Sequence, residues 1–130
     1  MKFGYTIIYV TSVSETLAFY QQAFGFETRF LHESGMYGEL ETGATTLAFA
    51  AHEMGEMNLA NQYQKVDAGA LPFGVELAFV SDDVQAAYDQ AIAAGAIAIK
   101  PPLPKPWGQI VAYVRSTEGS LIELCSPMGS

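Results

Sequence analysis

Two stretches of the chain carry apolar and polar positions in the same order. FGYTIIYVTSVSETLAFYQQAFGFE starts at Phe3, and FGVELAFVSDDVQAAYDQAIAAGAI starts at Phe73. Phe3 and Phe73, Gly4 and Gly74, Val10 and Val80, and Gly25 and Gly95 match at one offset of 70. Self-similarity held over 25 residues marks a repeated supersecondary unit. Each copy opens with a run rich in β-branched and aromatic residues, YTIIYV and VELAFV, which predicts a strand. A helix follows. Ser12-Val13-Ser14-Glu15 reads as a capping box, and Asp82-Asp83-Val84-Gln85 is its weaker counterpart. Val13, Leu17, Tyr20 and Phe24 share one helical face, as do Val84, Ala87, Tyr88 and Ala91. Gly25 and Gly95 stand where a glycine would end each helix.

Shorter strands come next. The first copy offers Glu27 to Glu33, Met36 to Glu41 and Thr45 to Ala51. The second offers Ala96 to Ile99, Gly108 to Arg115 and Leu121 to Cys125. Ser34-Gly35, Thr42-Gly43 and Thr117-Glu118-Gly119-Ser120 supply turns. The order is βαβββ, twice, with modules at about 1–52 and 72–130. Residues from His52 to Leu71 are polar, rich in Ala and Gly and without a strong period, so a linker is expected at about 53–71. A βαβββ unit is a small curved sheet with a helix on one face. The fold class is α+β, two such modules forming a curved open sheet around a cavity.

Composition narrows the function. A chain of 130 residues suits one domain, 1–130, and half of it is hydrophobic with only 15% charged, so a packed core is expected. Lys plus Arg number 6 against 14 Asp plus Glu, a net charge of -8, which argues against nucleic acid or an anionic membrane surface. No apolar run approaches a membrane span, and MKFGYTIIYV lacks the features of a signal peptide. One cysteine, Cys125, excludes an internal disulfide framework and a Cys-rich zinc module. The expectation is a cytoplasmic protein with a neutral or cationic small molecule as partner.

The twofold βαβββ plan, the opening YTIIYVTSVSETLAFYQQAFGF, the later ELAFVSDDVQAAYDQAIAAGA and the ending PWGQIVAYVRSTEGSLIEL resemble the vicinal oxygen chelate superfamily, also called the glyoxalase/bleomycin resistance/dioxygenase family. The resemblance covers nearly the whole chain. It implies the paired-module fold and pairing into a homodimer. It leaves the activity open among metal-dependent lyases, isomerases, dioxygenases and epimerases, and metal-free drug-binding proteins.

The resemblance also implies four strand positions that hold a divalent cation in the metal-dependent members. The first falls on Tyr5. The second falls on Ala48 or a neighbour, with His52 just past the strand. The third falls on Glu76 when the helix starts Val13 and Val84 are aligned, an offset of 71 rather than 70. Side-chain parity agrees, because Leu77 and Phe79 face the helix and leave Glu76 on the other face. The fourth falls on Glu123 in SLIEL. Two carboxylates, a tyrosine and an alanine hold a transition metal poorly, since His supplies much of the affinity. No cofactor is expected, and a weakly held hard cation on Glu76, Glu123 and waters is the alternative.

Other residues sort quickly. Glu76 and Glu123 in one cavity would raise one pKa and give a catalytic acid/base pair. Trp107 beside Gln109, with Tyr5 and Tyr113, would line an aromatic site for a planar or cationic ligand. His52-Glu53-Met54-Gly55-Glu56 begins like a zinc protease motif, but Glu56 stands where the second His belongs. His32 reads as a surface residue and Cys125 as a small buried hydrophobe. No glycine-rich phosphate loop occurs. The favoured function is small-molecule binding without an essential transition metal. The alternative is a divalent-metal-dependent lyase, lactoylglutathione lyase-like, an isomerase or a dioxygenase.

Overall fold

A computed structural model describes residues 1–60 and 62–129. The elements run β1 (Tyr5–Val10), α1 (Val13–Phe24), β2 (Thr28–Leu31), β3 (Tyr37–Leu40), β4 (Thr46–Ala51), α2 (His52–Leu59), β5 (Glu76–Val80), α3 (Val84–Ala93), β6 (Ile97–Pro104), β7 (Ile110–Arg115) and β8 (Leu121–Cys125). The class is α+β, with two four-stranded mixed sheets, both open. Their orders are β1-β4-β3-β2 and β5-β8-β7-β6. In each, the first strand runs parallel to the last and the other pairs are antiparallel. The chain divides into two compact units, Met1–Gln21 with Gly25–Val66, and Gln22–Phe24 with Asp67–Ser130. Among the described residues no helix is long and apolar enough to cross a membrane.

In the first unit one face of the sheet takes the helix. Val13, Leu17 and Tyr20 of α1 are buried, and the Tyr20 ring lies 4.8 Å from that of Phe49 on β4. Gly38 on β3 is where helix and sheet come closest, because a Cβ there would lie 2.6 Å from Leu17 Cδ1. Ser12 caps α1, its hydroxyl accepting from the Glu15 amide at 3.3 Å, and Gly25 ends it at φ 79°. In the second unit Ile122, Leu124 and Val114 are buried, and the Phe24 ring stands 5.0 Å from Phe79.

Three expectations need correction. The linker is not all irregular, since His52–Leu59 forms the helix α2 directly after β4. Its start has no side-chain cap and Gly55 lies inside it, so the usual helix signals are missing. The cap of α3 is Asp83, accepting from the Ala86 amide at 3.0 Å, not Asp82. The strand expected to end at Ile99 runs on to Pro104 as β6. It is an edge strand, where a proline with no N–H to donate is tolerated.

Candidate functional site

Pairing register decides which side chains share a face. In the second sheet Ala78 pairs with Glu123 and Glu123 with Tyr113, while Glu76 pairs with Leu121 and Leu121 with Arg115. Laterally paired residues project to the same side, so Glu76, Glu123, Tyr113 and Cys125 all lie opposite the helix-facing Leu77, Phe79, Ile122 and Leu124. The ladders also resolve the offset between the modules. The first rungs are Tyr5 with Thr46 and Glu76 with Leu121, which makes 76 − 5 = 71 for the leading strands and 121 − 46 = 75 for the closing ones. Tyr5 is thus the counterpart of Glu76, and Ala48 that of Glu123.

Three of the residues singled out above meet. The Tyr113 hydroxyl donates to Glu123 Oε1 at 3.1 Å. Glu76 is pushed above the ordinary carboxyl range, first by burial, then by a hydrogen bond with Glu123 and by its charge. Burial, with Glu123 as bond partner and nearby charge, pushes the Tyr113 phenol up to about 12. The buried Cys125 thiol is raised for the same causes in the same order. The face therefore presents two carboxyl groups, with a phenol that donates to one of them.

Trp107 and Gln109 form a separate pair. The indole Nε1–H donates to Gln109 Oε1 at 2.7 Å, and Gln109 Nε2 donates to the Ser126 carbonyl at 2.8 Å. Ser126 follows Glu123 by three residues, so this anchor sits about 10 Å further along the strand direction. Tyr5 belongs to the first unit, on the face that carries Tyr9, Tyr37, Glu39 and Ala48. There Tyr37 donates to Glu39 at 2.7 Å, and Arg29 reaches Glu39 at 3.0 Å and Glu41 at 3.2 Å.

Sequence reasoning passed over Arg115. It is buried, and its guanidinium donates to the carbonyls of Ala70 at 2.6 Å, Gly119 at 2.7 Å, Asp67 at 3.1 Å and Ala68 at 3.3 Å. This clasp holds the segment that leads into β5 and hence to Glu76. An arginine in a strand next to a turn glycine carries no sequence signal of such a role.

A tightly held transition metal needs several His, Cys or carboxylate donors around one point. The counterparts of the two carboxylates are Tyr5 and Ala48, and no His joins Glu76 and Glu123 on their face. Among the described residues no three His, Cys, Asp or Glu side chains are grouped to hold a metal ion. These residues do not fit a tightly held zinc, nickel or iron.

The chain matches the family model described as Glyoxalase/Bleomycin resistance protein/Dioxygenase superfamily over residues 2–124. No curated protein matches it. Among solved structures it is similar to a glyoxalase/bleomycin resistance protein/dioxygenase family enzyme from Burkholderia phytofirmans PsJN, at 29% identity and TM-score 0.77, covering 95% of this chain and 96% of that one. It is also similar to a glyoxalase-related enzyme from Fulvimarina pelagi, at 16% identity and TM-score 0.82, covering 98% and 88%. A superfamily member from Sphaerobacter thermophilus DSM 20745 matches at 22% identity and TM-score 0.70, covering 98% of each chain. The last two likenesses speak for the fold alone.

Proposed function

The chain belongs to the glyoxalase/bleomycin resistance protein/dioxygenase superfamily, and from that premise we propose that it binds a small molecule on the carboxylate face of its second sheet, without an essential transition metal. One observation carries the reading. Glu76 and Glu123 share a face, the pKa of Glu76 is raised by burial and by Glu123, Tyr113 donates to Glu123, and no cation of the chain neutralises them among the described residues. Such a group accepts N–H donors, and a net charge of -8 favours the approach of a cation. A monocationic amine or amidine is the ligand class, with Trp107 and Gln109 available to a larger aromatic one.

The test is a thermal-shift screen over cationic amines, aromatic acids and thiol conjugates, repeated on Glu123→Gln, together with elemental analysis of the purified protein. The expected result is stabilisation of the wild type by cations and loss of that response in the variant. A stoichiometric zinc, nickel or iron would replace this reading with the metal-dependent lyase, isomerase or dioxygenase. Cation binding that survives Glu123→Gln unchanged would move the site elsewhere.

A further inference from the structure

The first unit holds an aromatic niche that the carboxylate site does not use. Tyr9, on the β1 face away from α1, stacks on Tyr63 with ring centroids 4.9 Å apart and planes at 29°. His52, the first residue of α2, meets the Tyr63 hydroxyl through Nδ1 at 2.7 Å. Gly55, one helical turn on, is buried under the ring. A Cβ there would lie 2.7 Å from Tyr63 Cε1 and 2.8 Å from Cζ, so the absence of a side chain makes the space. Fully buried Ala48 and Ala50 keep the neighbouring floor low, with Ala50 paired to both Tyr9 and Tyr37.

The residue filling this niche is loosely attached. Among the described residues the backbone of 63–66 makes no hydrogen bond, and Gln62, Gln64 and Lys65 are exposed. Asp67 to Ala70, by contrast, are clasped by Arg115. Tyr63 is therefore a phenol on a short tether, stacked on one ring and hydrogen-bonded to one imidazole.

We propose that Tyr9, His52 and Gly55 form a recognition site for a phenolic ring, which Tyr63 fills and which a phenolic ligand takes by displacing it. Stacking on Tyr9 selects a planar ring. The imidazole selects a hydroxyl. Burial holds His52 toward its neutral form, with Lys65 adding to this and Glu53 opposing it, and a neutral ring keeps one nitrogen free to accept the hydroxyl proton. Attachment through the chain gives the internal phenol an effective concentration of roughly millimolar. A competing ligand thus needs millimolar supply or added contacts on the same sheet face, where Tyr5, Tyr37 and Glu39 stand. The proposal does not depend on the carboxylate site.

The test is chemical complementation. Tyr63→Ala is titrated with p-cresol, the tyrosine side chain as a free molecule, and with toluene, which lacks the hydroxyl. Binding is followed by ligand-observed NMR and by the shift in Tm. Tyr63→Ala should bind p-cresol about tenfold more tightly than the wild type does and should prefer it to toluene by about tenfold, the worth of one half-buried hydrogen bond. Adding Gly55→Ala should abolish the response by filling the niche. Equal p-cresol binding by wild type and Tyr63→Ala, or no preference over toluene, would overturn the proposal. If Tyr63→Ala does not fold, Tyr63→Phe replaces it. That ring forgoes the bond to His52 and should yield to p-cresol more readily than Tyr63, and equal affinity again overturns the idea.

Discussion

Replacing Arg115 by Met tests the clasp that leads into the carboxylate strand. The variant keeps the length of the side chain and removes the guanidinium. Two of its bonds are short, to Ala70 at 2.6 Å and to Gly119 at 2.7 Å, and three are longer, to Asp67, to Ala68 and from Nε to Gly119. Hydrogen bonds to a charged group contribute about 1.5–3 kcal/mol each, so the two short ones are worth about 3–6 kcal/mol. Removing a buried charge returns part of this, because its desolvation no longer has to be offset. The net expectation is a loss of about 2–4 kcal/mol. Arg115→Lys should recover little, since an ammonium on a flexible stem cannot serve four carbonyls spread around a planar fork. Urea unfolding measures the effect through the midpoint at unchanged slope. Limited proteolysis should show new cleavage at residues 67–70 in both variants. If Arg115→Met stays within about 0.5 kcal/mol of the wild type, the clasp is not a stabilising element and the reasoning fails.

Two further outcomes follow from the same geometry. Glu76 has its folded pKa raised above 4.5, so the folded state holds this proton more tightly than the unfolded chain does. Its contribution is complete below the ordinary carboxyl value and is lost as pH rises through the window above 4.5. Glu76→Gln mimics the protonated form, so its stability relative to wild type should improve as pH rises from about 4 to 8, and a gap that stays constant with pH would refute the raised pKa of Glu76. Gly38→Ala would place a Cβ 2.6 Å from Leu17 Cδ1 and 3.1 Å from Val13 Cγ1, both in the buried layer between α1 and its sheet. It should cost about 1–3 kcal/mol by overpacking, and a neutral or stabilising result in urea unfolding would show that Leu17 has room to move.

Much of this architecture was legible because its signals are local. The β1 and β5 strands, the Ser12 cap and the glycine stops of α1 and α3 each depend on a few neighbouring residues. Parity alone placed Glu76 on the face away from Leu77, since alternation in a strand is a rule of covalent geometry. The elements that escaped depend on distant contacts. Nothing within HEMGEMNL announces α2, whose buried Gly55 is explained by the ring of Tyr63 eight residues on. Arg115 escaped because its partners are carbonyls, which every residue has. The one-residue conflict in the repeat also has a physical origin. The α3 helix, Val84–Ala93, is shorter than α1, Val13–Phe24, so the offset falls from 71 at the helix start to 70 at the glycine that follows, while the earlier matches at 70, Phe3 with Phe73, Gly4 with Gly74 and Val10 with Val80, lie one residue off the strand register.

That internal alignment turns the two sheets into a comparison of the chain with itself. Each sheet carries a tyrosine on its third strand that donates to a carboxylate, Tyr37 to Glu39 and Tyr113 to Glu123. In the first sheet the charge is met from within, because Arg29 reaches both Glu39 and Glu41. In the second no ion pair meets it among the described residues, and Glu76 on the same face has its pKa raised by burial and by Glu123. A surface pair like Arg29 with Glu39 contributes little to stability, so its presence in one module and absence in the other is weakly constrained by folding. Two carboxyl groups beside each other, Glu76 exposed and Glu123 half-buried, with no counterion among the described residues, are unfavourable for folding, and the raised pKa of Glu76 gives that cost its direction. Groups kept in such an arrangement are commonly those that meet a ligand. The asymmetry between otherwise matched sheets is therefore the strongest reason to look for a binding partner at Glu76 and Glu123 rather than at their counterparts Tyr5 and Ala48.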